Sequence, residues 1–213
     1  IRYGFKGPNH AVVTACATGN HCIGSAARWI QLGQETAMLA GGTEATITPM
    51  GVSGFNALKA LSTHNEEPAK ASRPFDLERD GFVMGEGAGV IVLEELGHAL
   101  ARGATPIAEI LGGALTADAF HISAPEPTGR GATRAMSMAR EHAGITADEV
   151  DWVVAHGTST PLNDVTETRA IKASFGPAAA KLAVSSPKSM VGHLVGAAGI
   201  ASALAALGGI RDQ

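Results

Sequence analysis

Two stretches of the 213-residue chain share one plan: AVVTACATGNHCIGSAARWI (residues 11–30) and LAVSSPKSMVGHLVGAAGIASAL (residues 182–204). Each reads as a buried strand, a short polar turn and then a helix of small residues, in which Gly and Ala let neighbouring backbones approach. A plan used twice suggests a duplicated fold. In the first stretch, 11–14 is the strand. Ile23, Ala27 and Ile30 then recur at helical spacing, and Gly33 suits a stop. In the second, 182–185 is the strand, and the Gly/Ala-rich helix is predicted to begin near Met190.

Working outward, the pattern predicts a strand over 36–41, a helix over 54–65 and a polar loop over 66–81 with two prolines. Strands over 90–93 and 107–111 flank a short helix near 95–102. After a Pro- and Gly-rich loop at 124–131 come a helix over 132–143, stopped by Gly144, and a strand over 152–155. A turn at His156-Gly157 runs to Pro161, and Asp164 with Glu167 resembles a capping box opening a helix through Ala173. Strands alternating with helices imply an α/β fold with largely parallel strands.

Composition excludes several classes. Sixteen Lys and Arg against twenty Asp and Glu, with no long block of one sign, leave no electrostatic footprint for nucleic acid. Two cysteines cannot build a disulfide scaffold, and the Cys16–Cys22 spacing with no second pair is not a zinc pattern. Both thiols are read as reduced, which places the chain in the cytoplasm. The run 194–210 has only Ser202 as a strongly polar residue, but its Ala and Gly content fits a buried helix better than a bilayer span. The opening IRYGFKGPNH has no basic region followed by an apolar one, so no secretory leader is expected.

Four positions have chemical potential. Cys16 sits at a strand-to-helix turn, where the positive helix end would stabilise a thiolate nucleophile; the alternative is a small buried hydrophobe among alanines. Cys22 fits the second description, and His10 and His21 read as local polar contacts. His156, after a strand and before Gly157-Thr158-Ser159-Thr160, stands where parallel sheets bind ligands; the alternative is a turn histidine bonded to its own loop. His193 opens an almost wholly apolar segment and needs a partner or a site. Lys188 either adds charge to that pocket or is a solvated surface lysine. The glycines of GEGAG at 85–89 lack nucleotide-loop spacing and precede a strand instead of following one, so a glycine-rich β-turn is expected there. His64, His98, His121 and His142 have no metal-ligand spacing, and no metal site is expected.

Taken together, TACATG around Cys16, ASRPFDLERDGFVMGEGAGVIVLEE in the centre, HGTSTPLND at His156 and PKSMVGHLVGAAG at Lys188 and His193 resemble the elongating β-ketoacyl-acyl carrier protein synthases of the thiolase superfamily. The resemblance covers essentially the whole chain. It implies a thiolase-like layered α/β/α/β/α fold from two duplicated halves, incomplete here. Residues 1–105 would be the later part of the first half and 106–213 most of the second.

It also implies that Cys16 accepts an acyl chain from acyl carrier protein, while His156 and His193 hold the thioester carbonyl of malonyl-acyl carrier protein and the enolate left when CO2 departs. Lys188 would support the electrostatics, and Thr158 and Thr160 would hydrogen-bond the phosphopantetheine arm. No cofactor of the protein's own is implied, since the phosphopantetheine belongs to the carrier. A homodimer is implied, with no membrane or nucleic-acid partner. Ser202 stands where family members often have Glu, and Pro187 where Thr is common. The family's unit is about twice this length, so a fragment inactive by itself is expected. The alternatives are a polyketide ketosynthase and a non-catalytic chain-length partner subunit, which the Cys16 motif argues against. A cysteine peptidase ranks last.

Overall fold

The structure, a computed structural model, describes residues 2–212. Contacts divide it into two compact units. One comprises Ile1–Thr43, Ala88–Glu109 and Gly196–Gln213, and the other Glu44–Gly87 and Ile110–Val195. This is a division by packing, and both units take segments from each of the expected halves, 1–105 and 106–213.

In the first unit, a 3-10 turn at Ala15–Ala17 leads into α1 (Thr18–Gln31). Gly33, at φ +67°, follows its end and turns the chain toward β1 (Ala37–Glu44), which pairs with β2 (Gly87–Glu94). The helix α3 (Leu96–Ala101) follows β2, capped by the Glu95 carboxylate on the Gly97 and His98 amides. The last helix is α7 (Ala198–Arg211).

Glycines decide how these elements meet. A Cβ on Gly19 of α1 would lie 2.4 Å from the Ile200 amide nitrogen, and one on Gly199 of α7 would lie 2.6 Å from that of Asn20. The helices of the two echoed stretches therefore pack on each other, backbone to backbone. On β2, a Cβ at Gly89 would meet Leu204 at 2.8 Å and Ile200 at 3.1 Å. The expected glycine-rich β-turn at 85–89 is therefore corrected. From Gly87 onward these glycines are strand residues, small because the Leu194 side chain lies against Gly87 and α7 side chains lie against Gly89.

In the second unit, α2 (Pro49–Ala57) starts at Thr48, whose hydroxyl accepts the Gly51 amide. The loop that follows returns through the bridge Leu61–Phe82. Next come α4 (Arg130–Ala143), closed by Gly144 at φ +68°, and β3 (Trp152–Val154). After these are α5 (Pro161–Phe175), β4 (Ala183–Ser185) and the single turn α6 (Lys188–Val191). The strands β3 and β4 run parallel, with Trp152 opposite Ala183 and Val154 opposite Ser185, and α5 lies between them in sequence. The helix α4 packs on α5 through Ser137–Ser174 and through Arg140, whose guanidinium bonds the Ser174 carbonyl and lies 5.0 Å from the Phe175 ring centre.

Several expectations need correction. Segments 11–14 and 107–111 are not strands. An apolar run becomes a strand only when another strand satisfies its amides, and neither segment has a ladder partner among the described residues. Val13 is 87% exposed. The helix expected over 54–65 lies earlier, because Thr48 and Pro49 start it and Lys59, at φ +52°, has left it. The final helix begins at Ala198, not near Met190, since Gly192 at φ +72° breaks the chain after α6. Asp164 and Glu167 form no capping box. The helix they sit on starts at Pro161, and both carboxylates reach distant backbone. Among the described residues no helix is long and apolar enough to cross a membrane.

Candidate active site

Parallel strands leave their carboxyl ends at one edge, and the residues just beyond that edge are free to form a site. His156 follows β3, and Ser186-Pro187-Lys188 follows β4, so the pairing of the strands sets these two turns side by side. The first turn is held from beneath. The Glu167 carboxylate accepts the His156 amide at 2.6 Å and the Gly157 amide at 2.8 Å, and Asn163 donates to it at 3.3 Å. Burial raises the Glu167 carboxyl above its ordinary value, opposed by those amide hydrogen bonds. The Ser186 hydroxyl donates to the Gly157 carbonyl at 3.1 Å, and a Cβ on Gly157 would lie 2.6 Å from the Ser186 Cβ. Only glycine fits there, and at φ +43° it also bends the chain sharply.

His193 comes from the other side of Gly192. Its amide donates to the Val83 carbonyl at 2.7 Å and its carbonyl accepts the Gly85 amide at 3.0 Å, which makes the Met84–His193 bridge. The imidazole is 3% exposed. It meets the His156 ring edge to face, at 5.4 Å between centres and 87° between planes. On its other side lies Phe82, at 5.2 Å, and behind that Phe55, again at 5.2 Å. The Val195 amide donates to His193 Nδ1 at 3.1 Å. A ring nitrogen that accepts carries no proton, so in the neutral ring Nε2 carries it and is the donor.

Burial pushes the His156 imidazole down to about 3, with the Lys188 charge adding to the effect. Burial does the same to His193, again to about 3, followed by the influence of His156 and Lys188. Both rings are therefore neutral donors near pH 7. Lys188 itself is 3% exposed, which excludes the solvated surface lysine. Its carbonyl accepts the Ser72 hydroxyl, and its amide lies 3.4 Å from Ser186 Oγ.

Thr158 and Thr160 share a hydroxyl–hydroxyl hydrogen bond of 2.8 Å. Between them, Ser159 is fully buried at φ +67°, and its hydroxyl accepts the Arg73 amide at 3.0 Å. A non-glycine residue held in that region marks a loop whose surroundings override its local preference.

The second unit thus brings His156, His193, Lys188, Thr158 and Thr160 together. Cys16 belongs to the first unit. It lies half-buried in the 3-10 turn immediately before α1, where helix amides are unsatisfied and the dipole is positive. The preceding Ala15 is at φ +49°, so this turn is strained as well. The helix-end position expected for Cys16 is present, although no strand precedes it.

Sequence reasoning did not assign Glu167, Phe82 or Ser186 to the site. Glu167 carries a visible signal, its spacing from Asp164, but by sequence that spacing reads as local capping and not as a brace for His156 and Gly157. Phe82 lies just past the polar stretch 66–81, and its partners Phe55 and His193 are remote in sequence.

Comparison with known proteins bears on what this arrangement is. The family profile described as Beta-ketoacyl synthase, N-terminal domain, matches residues 1–99, and that described as Beta-ketoacyl synthase, C-terminal domain, matches residues 107–213. The chain belongs to the β-ketoacyl synthase family. It is 55% identical over 213 residues to 3-oxoacyl-[acyl-carrier-protein] synthase 2 of Synechocystis sp., and 54% identical over 214 residues to the enzyme of the same name from Rhizobium meliloti. Each match covers 100% of this chain and 51% of the relative, so the chain spans about half the length of the curated relatives it matches.

Among solved structures, a type II polyketide ketosynthase, bound to its hexaketide and in complex with its acyl carrier protein, is similar with a TM-score of 0.97 at 38% identity. It covers 100% of this chain and 52% of that one. A β-ketoacyl synthase from Burkholderia phymatum has a TM-score of 0.86 at 45% identity, covering 92% of this chain and 46% of that one. These likenesses give the chain the thiolase-like α/β fold of ketosynthases, of which it spans about half.

Proposed function

We propose that this chain carries the condensing centre of a 3-oxoacyl-acyl carrier protein synthase working in fatty acid elongation. The observation that carries the reading is the pair of facing imidazoles, His156 and His193, both neutral, with the His193 proton on Nε2. Decarboxylative condensation passes through an enolate, and fixed neutral donors aimed at its oxygen stabilise it without being consumed as acids. Removing one such donor typically costs about 100- to 1,000-fold in rate.

In the proposed cycle the Cys16 thiolate attacks the carbonyl of an acyl thioester on acyl carrier protein. The carrier leaves as a thiolate that takes a proton from water, and the acyl chain stays on Sγ. A malonyl thioester then loses CO2, and the electron pair of the broken C–C bond forms the enolate, whose oxygen is held by His156 and His193. The enolate carbon attacks the Cys16 thioester. A new C–C bond forms and Cys16 leaves as the thiolate. Lys188 supplies positive charge beside both rings, while Thr158 and Thr160 bond the pantetheine arm. The reaction needs no metal or redox cofactor, since loss of CO2 drives it. The protein is cytoplasmic and a homodimer in this reading, and its partner is an acyl carrier protein.

Division of labour is the test, made in the full-length protein that carries this chain. Cys16→Ala should abolish acyl transfer and leave CO2 release from malonyl-acyl carrier protein. His156→Ala or His193→Ala should lose CO2 release while Cys16 still takes up an acyl chain. Loss of both activities in every variant would refute the assignment. A polyketide ketosynthase is the second reading, favoured by the 0.97 TM-score to the hexaketide-bound enzyme but opposed by the higher identity to the 3-oxoacyl synthases. Acyl and polyketide thioesters offered in competition separate the two.

A further inference from the structure

Arg79 lies in the central motif, none of whose residues has been given a role above, and it is 12% exposed and fully engaged. Its Nε donates to the Thr160 carbonyl at 3.1 Å, Nη2 to the Pro161 carbonyl at 2.9 Å and Nη1 to the Asp76 carbonyl at 2.7 Å. Asp164, 1% exposed, balances the charge at 3.4 Å and also accepts the Phe75 amide at 2.7 Å. One guanidinium thus grips two consecutive carbonyls at the start of α5, a fork geometry that an ammonium cannot reproduce.

The residue it grips behaves unusually. Thr160 is the cap of α5, and a threonine there ordinarily turns its hydroxyl onto the first free amides of the helix. Thr160 makes no such bond. Its hydroxyl is turned to Thr158 instead, at 2.8 Å. The loop is braced elsewhere by residues adjoining Arg79 in sequence. Arg73 bonds the strained Ser159, and the Phe75 ring lies 3.1 Å from where a Gly157 Cβ would be. Local capping therefore does not fix the Thr160 hydroxyl, and Arg79 holds the Thr160 peptide by its carbonyl.

We infer that Arg79 is a positioning residue for the Thr158–Thr160 hydroxyl pair, and so governs recognition of the pantetheine arm separately from the chemistry at the histidines. The inference rests on the reading of this site as a ketosynthase centre.

The experiment compares wild type, Arg79→Lys and Arg79→Gln in the full-length protein. Two malonyl thioesters are used, one on acyl carrier protein and one on a short thiol without the pantetheine amides. Arg79→Lys keeps the charge beside Asp164 and loses the fork. With the carrier substrate its KM should rise about tenfold, the loss of one or two hydrogen bonds' worth of binding, while kcat for CO2 release stays within about twofold. With the short thioester both constants should match wild type. Arg79→Gln should show the same split, more strongly. An equal loss on both substrates, or an unchanged KM for the carrier substrate, would overturn the inference. Wild-type protein releasing no CO2 from either substrate would instead overturn the functional reading, and the inference with it. Thermal melts of each variant are run alongside, and if Arg79→Gln does not fold, Arg79→Lys decides the matter alone.

Discussion

Substituting Gly19 by Ala sets two opposed effects against each other in one helix. Ala is favoured over Gly in a helix interior by about 1 kcal/mol. Against that, the new Cβ would lie 2.4 Å from the Ile200 amide nitrogen, 2.9 Å from the Gly199 carbonyl carbon and 3.0 Å from the Gly199 Cα. All three are backbone atoms of α7, so no side-chain rotation relieves the clash. The helices must separate by about 1 Å to restore ordinary contact, and overpacking of this kind costs about 1–3 kcal/mol, the upper end applying where the neighbour is backbone. The net expectation is a loss of about 2 kcal/mol, and a melting temperature lower by about 4–8 °C for a chain of this size. Gly24→Ala is the control. It lies in the same helix with nothing within 4 Å, so only the helix preference remains. That variant should gain about 0.5–1 kcal/mol and melt about 1–4 °C higher. Urea and thermal unfolding followed by far-UV circular dichroism read both. If Gly19→Ala were as stable as wild type while Gly24→Ala rose as expected, the close approach of α1 and α7 would be wrong.

Two further outcomes are expected. His156 and His193 titrate near 6.5 when unfolded and at about 3 when folded, so below about pH 6.5 the unfolded chain binds protons that the folded one refuses. Stability should fall progressively as pH drops from 6.5 toward 3, by about 2 kcal/mol per histidine at pH 5. Glu167, raised by burial, works in the opposite sense, so Glu167→Gln should steepen the fall; urea unfolding across pH 7 to 4 measures it, and a flat profile would contradict the buried neutral rings. Asp164→Ala should cost about 3–5 kcal/mol, because it leaves the Arg79 charge without its buried partner and the Phe75 amide without an acceptor. Asp164→Asn, which keeps an acceptor, should cost less, and the difference is read from the same unfolding curves.

Much of this protein is written in short-range sequence signals. Gly144 after 132–143, Glu95 before α3 and Pro161 at the start of α5 all mark real helix ends, because capping and breaking act within a few residues. The four motifs pick out Cys16, Lys188, His156 and His193 as candidates, since few residue types can act as a nucleophile or a buried hydrogen-bond donor. Their wording also announced the family that the profiles match.

Other features required the folded chain. Whether 11–14 or 107–111 is a strand depends on a neighbour's amides, not on its own apolar residues. Asp164 and Glu167 look like helix caps three residues apart, yet their carboxylates serve Phe75, His156 and Gly157, partners that no local pattern reveals. The charge state of the two imidazoles belongs to the same class. Histidine as a residue type titrates near 6.5, and only exclusion from water by the surrounding elements makes these rings neutral donors. Sequence alone determined which chemical groups the protein possesses and where helices such as α4 stop, because those are matters of covalent identity and nearest neighbours. Tertiary structure decided which groups face each other, what they are hydrogen-bonded to and how far they are from water, because each of those depends on residues beyond the reach of any local pattern.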